Sequence, residues 1–166
     1  MKRILALLMA LMLASGVMIA PAASADTFAS SETPLDYASS AQLNNIELAV
    51  AAIDGTYLGY GDVFSFNDIV GNRTSKRGYK TAVNGRGVKA MGGGVAQVAT
   101  TLYLALKQMG DIGYLEKKVY GSQFAGDYVS SGSDAIITDY DEGIDFRFRN
   151  DSGEGLYISL WWTDSE

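Results

Sequence analysis

The 166-residue sequence contains neither cysteine nor histidine. The first absence excludes disulfides, a thiol nucleophile and thiolate metal sites. The second removes the usual general base and the commonest zinc ligand. Only carboxylates remain as metal ligands, and the cluster Asp139, Asp141, Glu142 and Asp145 lacks the twelve-residue calcium-loop pattern, so it reads as solvation of a hairpin. No metal and no cofactor is expected. Basic residues are also scarce, 13 Lys and Arg against 19 Asp and Glu, a net charge of −6 that argues against nucleic acid or an anionic bilayer as a partner.

Long apolar runs are absent except at the amino terminus. There Lys2 and Arg3 precede an apolar stretch over residues 4–20, and Ala23, Ser24 and Ala25 supply the small residues of a cleavage site. Residues 1–25 are therefore expected to be a secretory signal peptide removed after Ala25. The run sits at the lower limit of a membrane span, so membrane attachment is expected only if the signal stays uncleaved. The reading implies a secreted, extracytoplasmic protein of a bacterial cell envelope. Residues 26–38 are small and polar and are expected to be a flexible leader, with residues 39–166 forming one domain.

Within that domain, Leu43, Ile46, Val50 and Ile53 repeat at helical spacing behind Ser39 or Ser40, plausible caps, and the pattern stops at Gly55. Residues 63–66 alternate as a short strand closed by Asn67 and Asp68. Residues 71–94 are polar and glycine-bearing and read as a long structured loop. A second helix starts near Gly94 and stops at Gly110, carrying Val95, Val98, Leu102 and Leu106 on one face. Strands follow over residues 114–120, 135–140, 144–148 and 156–162, with hairpin-turn chemistry at 141–143 and 150–155. Two main helices followed by an antiparallel sheet make an α+β fold in a single compact domain. In the last strand, Leu156, Ile158, Leu160 and Trp162 are assigned to the core, leaving Tyr157 and Trp161 to face solvent or a cleft.

The chemistry-bearing segment is the start of the second helix. Gly92, Gly93 and Gly94 permit a tight turn, and the first helical turn offers unpaired N–H groups and the positive dipole end, which favour a thiolate or an anion. Ala96 stands there and can be neither nucleophile nor ligand. Six basic residues, Arg73, Lys76, Arg77, Lys80, Arg86 and Lys89, lie just before it, either as a solvated loop face or as a site for carboxylate-bearing ligands such as cell-wall peptide stems.

An ordered set of residues resembles the VanW domain: Asn45-Ile46 with Ala49, residues 52–55, 61–67 (Gly-Asp-Val-Phe-Ser-Phe-Asn) and 70–74, Gly78-Tyr79, residues 92–95, Gln97-Val98, residues 100–103, Gly132, Asp134-Ala135 and residues 145–148. The resemblance covers most of the chain after the leader. It implies a cell-envelope protein, some relatives being wall enzymes of the L,D-transpeptidase type. It also implies a cysteine at position 96, a serine at 99, a histidine in the segment of Tyr120 and Ser122, and an aspartate at 134. Of these only Asp134 is present; Ala96, Ala99, Tyr120 and Ser122 stand at the other positions.

Three readings stay open at this point. The leading one is a non-catalytic domain whose remnant cleft binds peptidoglycan, its peptide stems or a protein partner through Arg73, Thr74, Arg77, Arg86, Gly92, Gly93, Gly94, Gln97, Thr101 and Asp134. A second is an enzyme using a hydroxyl of Thr100, Thr101 or Ser122 with Asp134 or Lys118 as base. The third is a purely structural or assembly protein. The sequence assigns no oligomeric state.

Overall fold

A computed structural model describes residues 2–11, 28–119, 129–130, 133–135 and 143–164. The fold is α+β, and its elements interleave more than the helices-then-strands order expected. Strands β1 (Lys2–Leu11) and β2 (Phe28–Pro34) come first, then helix α1 (Ser40–Ile53), strands β3 (Thr56–Leu58) and β4 (Val63–Ser65), and the short helix α2 (Phe66–Val70). The hairpin β5 (Thr81–Val83) and β6 (Lys89–Met91) leads into helix α3 (Val95–Leu106), followed by β7 (Ile112–Glu116), β8 (Arg147–Asn150) and β9 (Gly155–Asp164).

Among the described residues the strands form a four-stranded sheet in the order β2-β1-β9-β3, a three-stranded sheet β4-β8-β7 and the separate pair β5-β6, every pairing antiparallel. Helix α3 packs on β1 and β2 and against α1, which in turn covers β9. The core joins Ile4, Leu8, Ile46, Ile53, Leu102, Leu106, Leu156 and Ile158, all fully buried, to a second group of Phe64, Phe66, Phe146 and Phe148. Phe64 stacks on Phe148 at 4.8 Å between ring centroids, directly across the β4–β8 pairing.

Helix α1 follows the expected pattern closely. Ser39 is its cap: the Ser39 hydroxyl accepts from the Gln42 amide, and the Gln42 side chain accepts in return from the Ser39 N–H. In β9 the alternation also holds, with Leu156, Ile158 and Leu160 buried and Tyr157 and Trp161 exposed.

Several elements differ from expectation. Residues 28–34, expected as flexible leader, form β2, because their backbone pairs with β1 and because Gln97 and Gln108 on or after α3 donate to the carbonyls of Pro34 and Ser30. Residues 2–11, the start of the segment expected as a signal peptide, form β1, which pairs with β9 along all ten residues and buries Ile4, Ala6 and Leu8 on the α3 side; the rest of that segment lies outside the described residues. A run apolar on both faces suits either a leader or a central strand, and its sequence alone does not separate them. The segment 71–94 is not a continuous loop, since it folds a 3-10 turn at Ser75–Arg77 and the β5–β6 hairpin. Phe66, Asn67 and Asp68 belong to α2 rather than to the end of the β4 strand, because the Ser65 hydroxyl caps the Asp68 amide. The strand expected at 114–120 runs from Ile112 to Glu116, and that expected at 144–148 runs from Arg147 to Asn150. The turn after Asn150 connects two sheets instead of closing a hairpin, as β8 and β9 pair with different partners. The strand expected at 135–140, apart from Ala135, lies outside the described residues.

Candidate functional site

The turn before α3 is built by glycine for two separate reasons. Gly92 and Gly94 adopt left-handed φ values of 79° and 101°, which side-chain-bearing residues rarely take. Gly93 is required by space: a Cβ there would lie 2.2 Å from the carbonyl oxygen of Ala82 in β5. The helix start and the hairpin are thus in backbone contact.

Asn45 holds this contact together. It is fully buried on the apolar face of α1, and its amide donates to the carbonyls of Lys80 (2.8 Å) and Gly93 (2.9 Å) while its oxygen accepts from the Lys80 N–H (2.8 Å). Gly92 N–H also donates to Lys80, at 3.1 Å. Asn45 was not among the site residues expected from sequence, although an asparagine on an otherwise apolar helical stripe is a signal of a buried polar task.

The first two turns of α3 are bound on the opposite side to β2. Gln97 donates to the Thr33 hydroxyl (3.1 Å) and the Pro34 carbonyl (2.7 Å), and the Thr101 hydroxyl lies 2.7 Å from that of Thr33 and donates to the Gln97 carbonyl at 2.9 Å. Thr100 faces the segment that carries Asp134. Its hydroxyl bridges the Ala135 backbone, donating to the carbonyl at 3.2 Å and accepting from the N–H at 3.1 Å. Asp134 is fully buried beside this bridge, and Lys117, whose ammonium sits 4.1 Å from the Tyr103 ring centroid, reaches the Asp134 carbonyl at 3.5 Å. The fold therefore brings the segment of Asp134 and Ala135 to α3 at Thr100, one turn beyond Ala96. Tyr120 and Ser122 lie outside the described residues.

The basic residues divide. Arg73 is buried, donates to the Asn67 side-chain oxygen at 2.6 Å, lies over the Phe66 ring at 5.8 Å and runs its aliphatic stem against Gly92. Arg77 is exposed, yet its guanidinium donates to the carbonyls of Val70 (2.7 Å) and Asn72 (2.9 Å). Burial raises the Tyr79 hydroxyl pKa, and the nearby Arg73 and Arg77 charges oppose that rise without cancelling it. Thr74 is half-buried and stands before the 3-10 turn, where its carbonyl accepts from the N–H groups of Arg77 and Tyr79. Arg86 is exposed in the turn between β5 and β6, at the far end of the hairpin from Gly92. Arg73 and the glycine turn are thus brought together, and Arg86 is not.

Among the described residues, the first turn of α3 itself carries no titratable side chain: Val95, Ala96, Gln97 and Val98 stand there. Ala96, Gly92 and Gly94 are half-buried, so a partly open surface remains there, while the Thr100 and Thr101 hydroxyls are fully buried and committed to internal hydrogen bonds. A hydroxyl nucleophile at either threonine would have to break those bonds and reach solvent. Asp145, one of the carboxylates considered as a metal ligand, is buried and accepts from the Ser65 hydroxyl, the Asn67 N–H and the Phe146 N–H, a structural task that ties α2 to the strand entering β8.

Comparison with known proteins identifies the family. The uncharacterised protein YoaR of Bacillus subtilis (strain 168) is 36% identical over 118 residues, which cover 69% of this chain and 37% of the relative. The chain therefore spans little more than a third of that relative's length. No solved structure gives a significant match. The family model described as VanW like protein matches residues 41–166, from the first turn of α1 to the end of the chain, and the protein belongs to the VanW-like family.

Proposed function

We propose that this protein is a non-catalytic VanW-like domain of the bacterial cell envelope that binds carboxylate-bearing peptide stems of peptidoglycan at the open surface around Ala96. Family membership suggests a cell-envelope-related function. The observation that carries the finer reading is the α3 start: a helix amino terminus with alanine at the nucleophile position, in a chain without thiol or imidazole, with the stem of Arg73 against Gly92 of the turn before it. Such a place can receive a carboxylate but has no group to attack a carbonyl. Export through the amino-terminal apolar run fits this role, and wherever those residues are retained they fill the sheet as β1.

A second reading, in which the segment is structural and binds nothing, draws on the packing of Gly93 against Ala82 and of Gly92 against Arg73. One experiment separates the readings. Purified protein is titrated with intact peptidoglycan and with defined muropeptides, alongside an unrelated acidic protein, and the muropeptides are then examined by mass spectrometry. Binding above the control without any new product is expected. Binding no better than the control removes the ligand reading, and turnover of a muropeptide removes the non-catalytic one.

A further inference from the structure

Among the described residues, α1 and α3 cover one face of the four-stranded sheet. Ile4, Ala6 and Leu8 of β1 and Leu156, Ile158 and Leu160 of β9 are buried on that side, so the intervening residues of both strands line the opposite face. There Tyr57 of β3 and Tyr157 and Trp161 of β9 are 49%, 42% and 36% exposed. The register holds them on one side: Tyr57 pairs directly with Tyr157, and Trp161 follows on β9 with no shift in pairing, about 13 Å along the strand. Half-buried Leu5 and Leu7 stand beside them, opposite Trp161 and Ser159.

Two glycines shape the bed for the tyrosines. A Cβ at Gly155 would lie 2.3 Å from the Tyr57 hydroxyl oxygen and 2.7 Å from its Cε2, and one at Gly55 would lie 3.6 Å from the Tyr157 hydroxyl oxygen. Each side chain thus reaches diagonally along the sheet to a glycine instead of standing out from it. Between Tyr157 and Trp161, Asp54 Oδ1 accepts from the Ser159 hydroxyl at 3.0 Å and from the Leu160 N–H at 2.9 Å. Asp54 is exposed, and its second oxygen has no hydrogen-bond partner among the described residues. Arg3, diagonal to Trp161 in the register, is already paired with Glu32. The face offers aromatic surface and a carboxylate acceptor, a combination that disfavours an anion.

We propose that this face binds an extended neutral glycan chain. A pyranose ring presents C–H groups above and below and hydroxyls at its rim; the first pack on tyrosine and tryptophan, and the second donate to Asp54. Trp161 is too far from the tyrosine pair for one sugar ring to cover both, so an oligosaccharide is required. A second copy of the chain fits less well, because the exposed parts of the three aromatics amount to about 200–300 Å², against about 800 Å² per partner in a stable complex. The aromatics stand on β3 and β9, across the sheet from α3, so the proposal does not rest on peptide binding at Ala96.

The test is titration of the full chain with cellohexaose, chitohexaose and glucose, followed by calorimetry and tryptophan emission. Binding of a hexasaccharide with a change in emission is expected, glucose binding about tenfold more weakly or less. Tyr157→Thr and Trp161→Thr, both at exposed strand positions, should each weaken hexasaccharide binding about threefold to tenfold. Asp54→Asn, which keeps an oxygen for Ser159 and Leu160, should weaken it about threefold or more. Circular dichroism confirms folding of each variant. No binding of either hexasaccharide, binding unmoved by the three variants, or glucose binding equal to that of the hexasaccharides overturns the proposal. Equal binding of polygalacturonate, an anionic chain, also overturns it. So does self-association in the ultracentrifuge that Trp161→Thr abolishes, which would assign the face to a second copy.

Discussion

Replacing Gly93 with alanine is the sharpest probe of how the α3 start is built. The added methyl would lie 2.2 Å from the Ala82 oxygen, 2.5 Å from the Ala82 carbonyl carbon and 2.8 Å from the Val83 oxygen, all backbone atoms that no rotamer change can move. Relief requires the hairpin to retreat from α3 by about 1 Å, since ordinary contacts lie near 3.5 Å. That retreat strains the Asn45 bridge, which spans Lys80 and Gly93 with bonds of 2.8 and 2.9 Å, and the Gln42 bond to Val83. Overpacking contributes about 1–3 kcal/mol and the weakening of one or two buried hydrogen bonds about 1–3 kcal/mol more, so a loss of about 2–6 kcal/mol is expected. Gly61→Ala is the control: Gly61 has a left-handed φ of 83°, which Gly93 does not share, and nothing within 4 Å of the added methyl, so only a conformational cost of about 1–2 kcal/mol applies there. Urea unfolding followed by far-ultraviolet circular dichroism reads both. A Gly93→Ala loss no greater than that of Gly61→Ala would refute the claim that hairpin and helix are in backbone contact.

Ile4→Ala and Leu8→Ala, made in the full chain, should each cost about 2–4 kcal/mol in the same unfolding assay, because both side chains are fully buried in β1; wild-type stability would show β1 is undocked in solution. Thr100→Val should cost about 1–3 kcal/mol by leaving the buried Ala135 backbone groups unpaired, and a thermal melt identical to wild type would contradict the bridge. Ala96→Cys alone should produce no efficient muropeptide turnover, since no imidazole is present to take the thiol proton, and rapid product formation by that variant would refute this. Tyr114 has its pKa raised to about 12, by burial first and by Tyr103 second, so the folded state holds this proton more tightly than the unfolded chain does at 10.0. The stability it contributes is fully present below pH 10 and is lost as pH rises towards 12; an alkaline absorbance titration should lose a tyrosine step near pH 12 in Tyr114→Phe, and an unchanged curve would count against the assignment.

Local pattern made the two long helices and the last strand legible. The spacing of Leu43, Ile46, Val50 and Ile53 and of Val95, Val98, Leu102 and Leu106 each defines one helical face, and the alternation of Leu156, Ile158 and Leu160 defines one face of a strand. The ordered VanW-like residues and the absence of thiol and imidazole were equally plain without coordinates. What chain order cannot express is pairing between distant segments. Ile4 lies against Trp162 and Leu8 against Ile158, so β1 exists as a strand through partners about 150 residues away, and its uniformly apolar sequence bears the mark of a leader just as well.

The basic segment illustrates the same limit. Six positive residues looked like one patch, yet Arg73 is buried against Asn67 and Phe66 with its stem on Gly92, while the hairpin carries Arg86 to its far end from Gly92. Composition determined the chemistry available to this protein: carboxylates, hydroxyls, amides and the cations of lysine and arginine, and an alanine at the helix start. Tertiary structure decided how those groups are spent, because Thr100, Thr101, Gln97 and Asn45 are each consumed in joining α3 to a segment remote in sequence. A buried polar group must find its partner wherever the fold places one, and that place is a property of packing rather than of spacing.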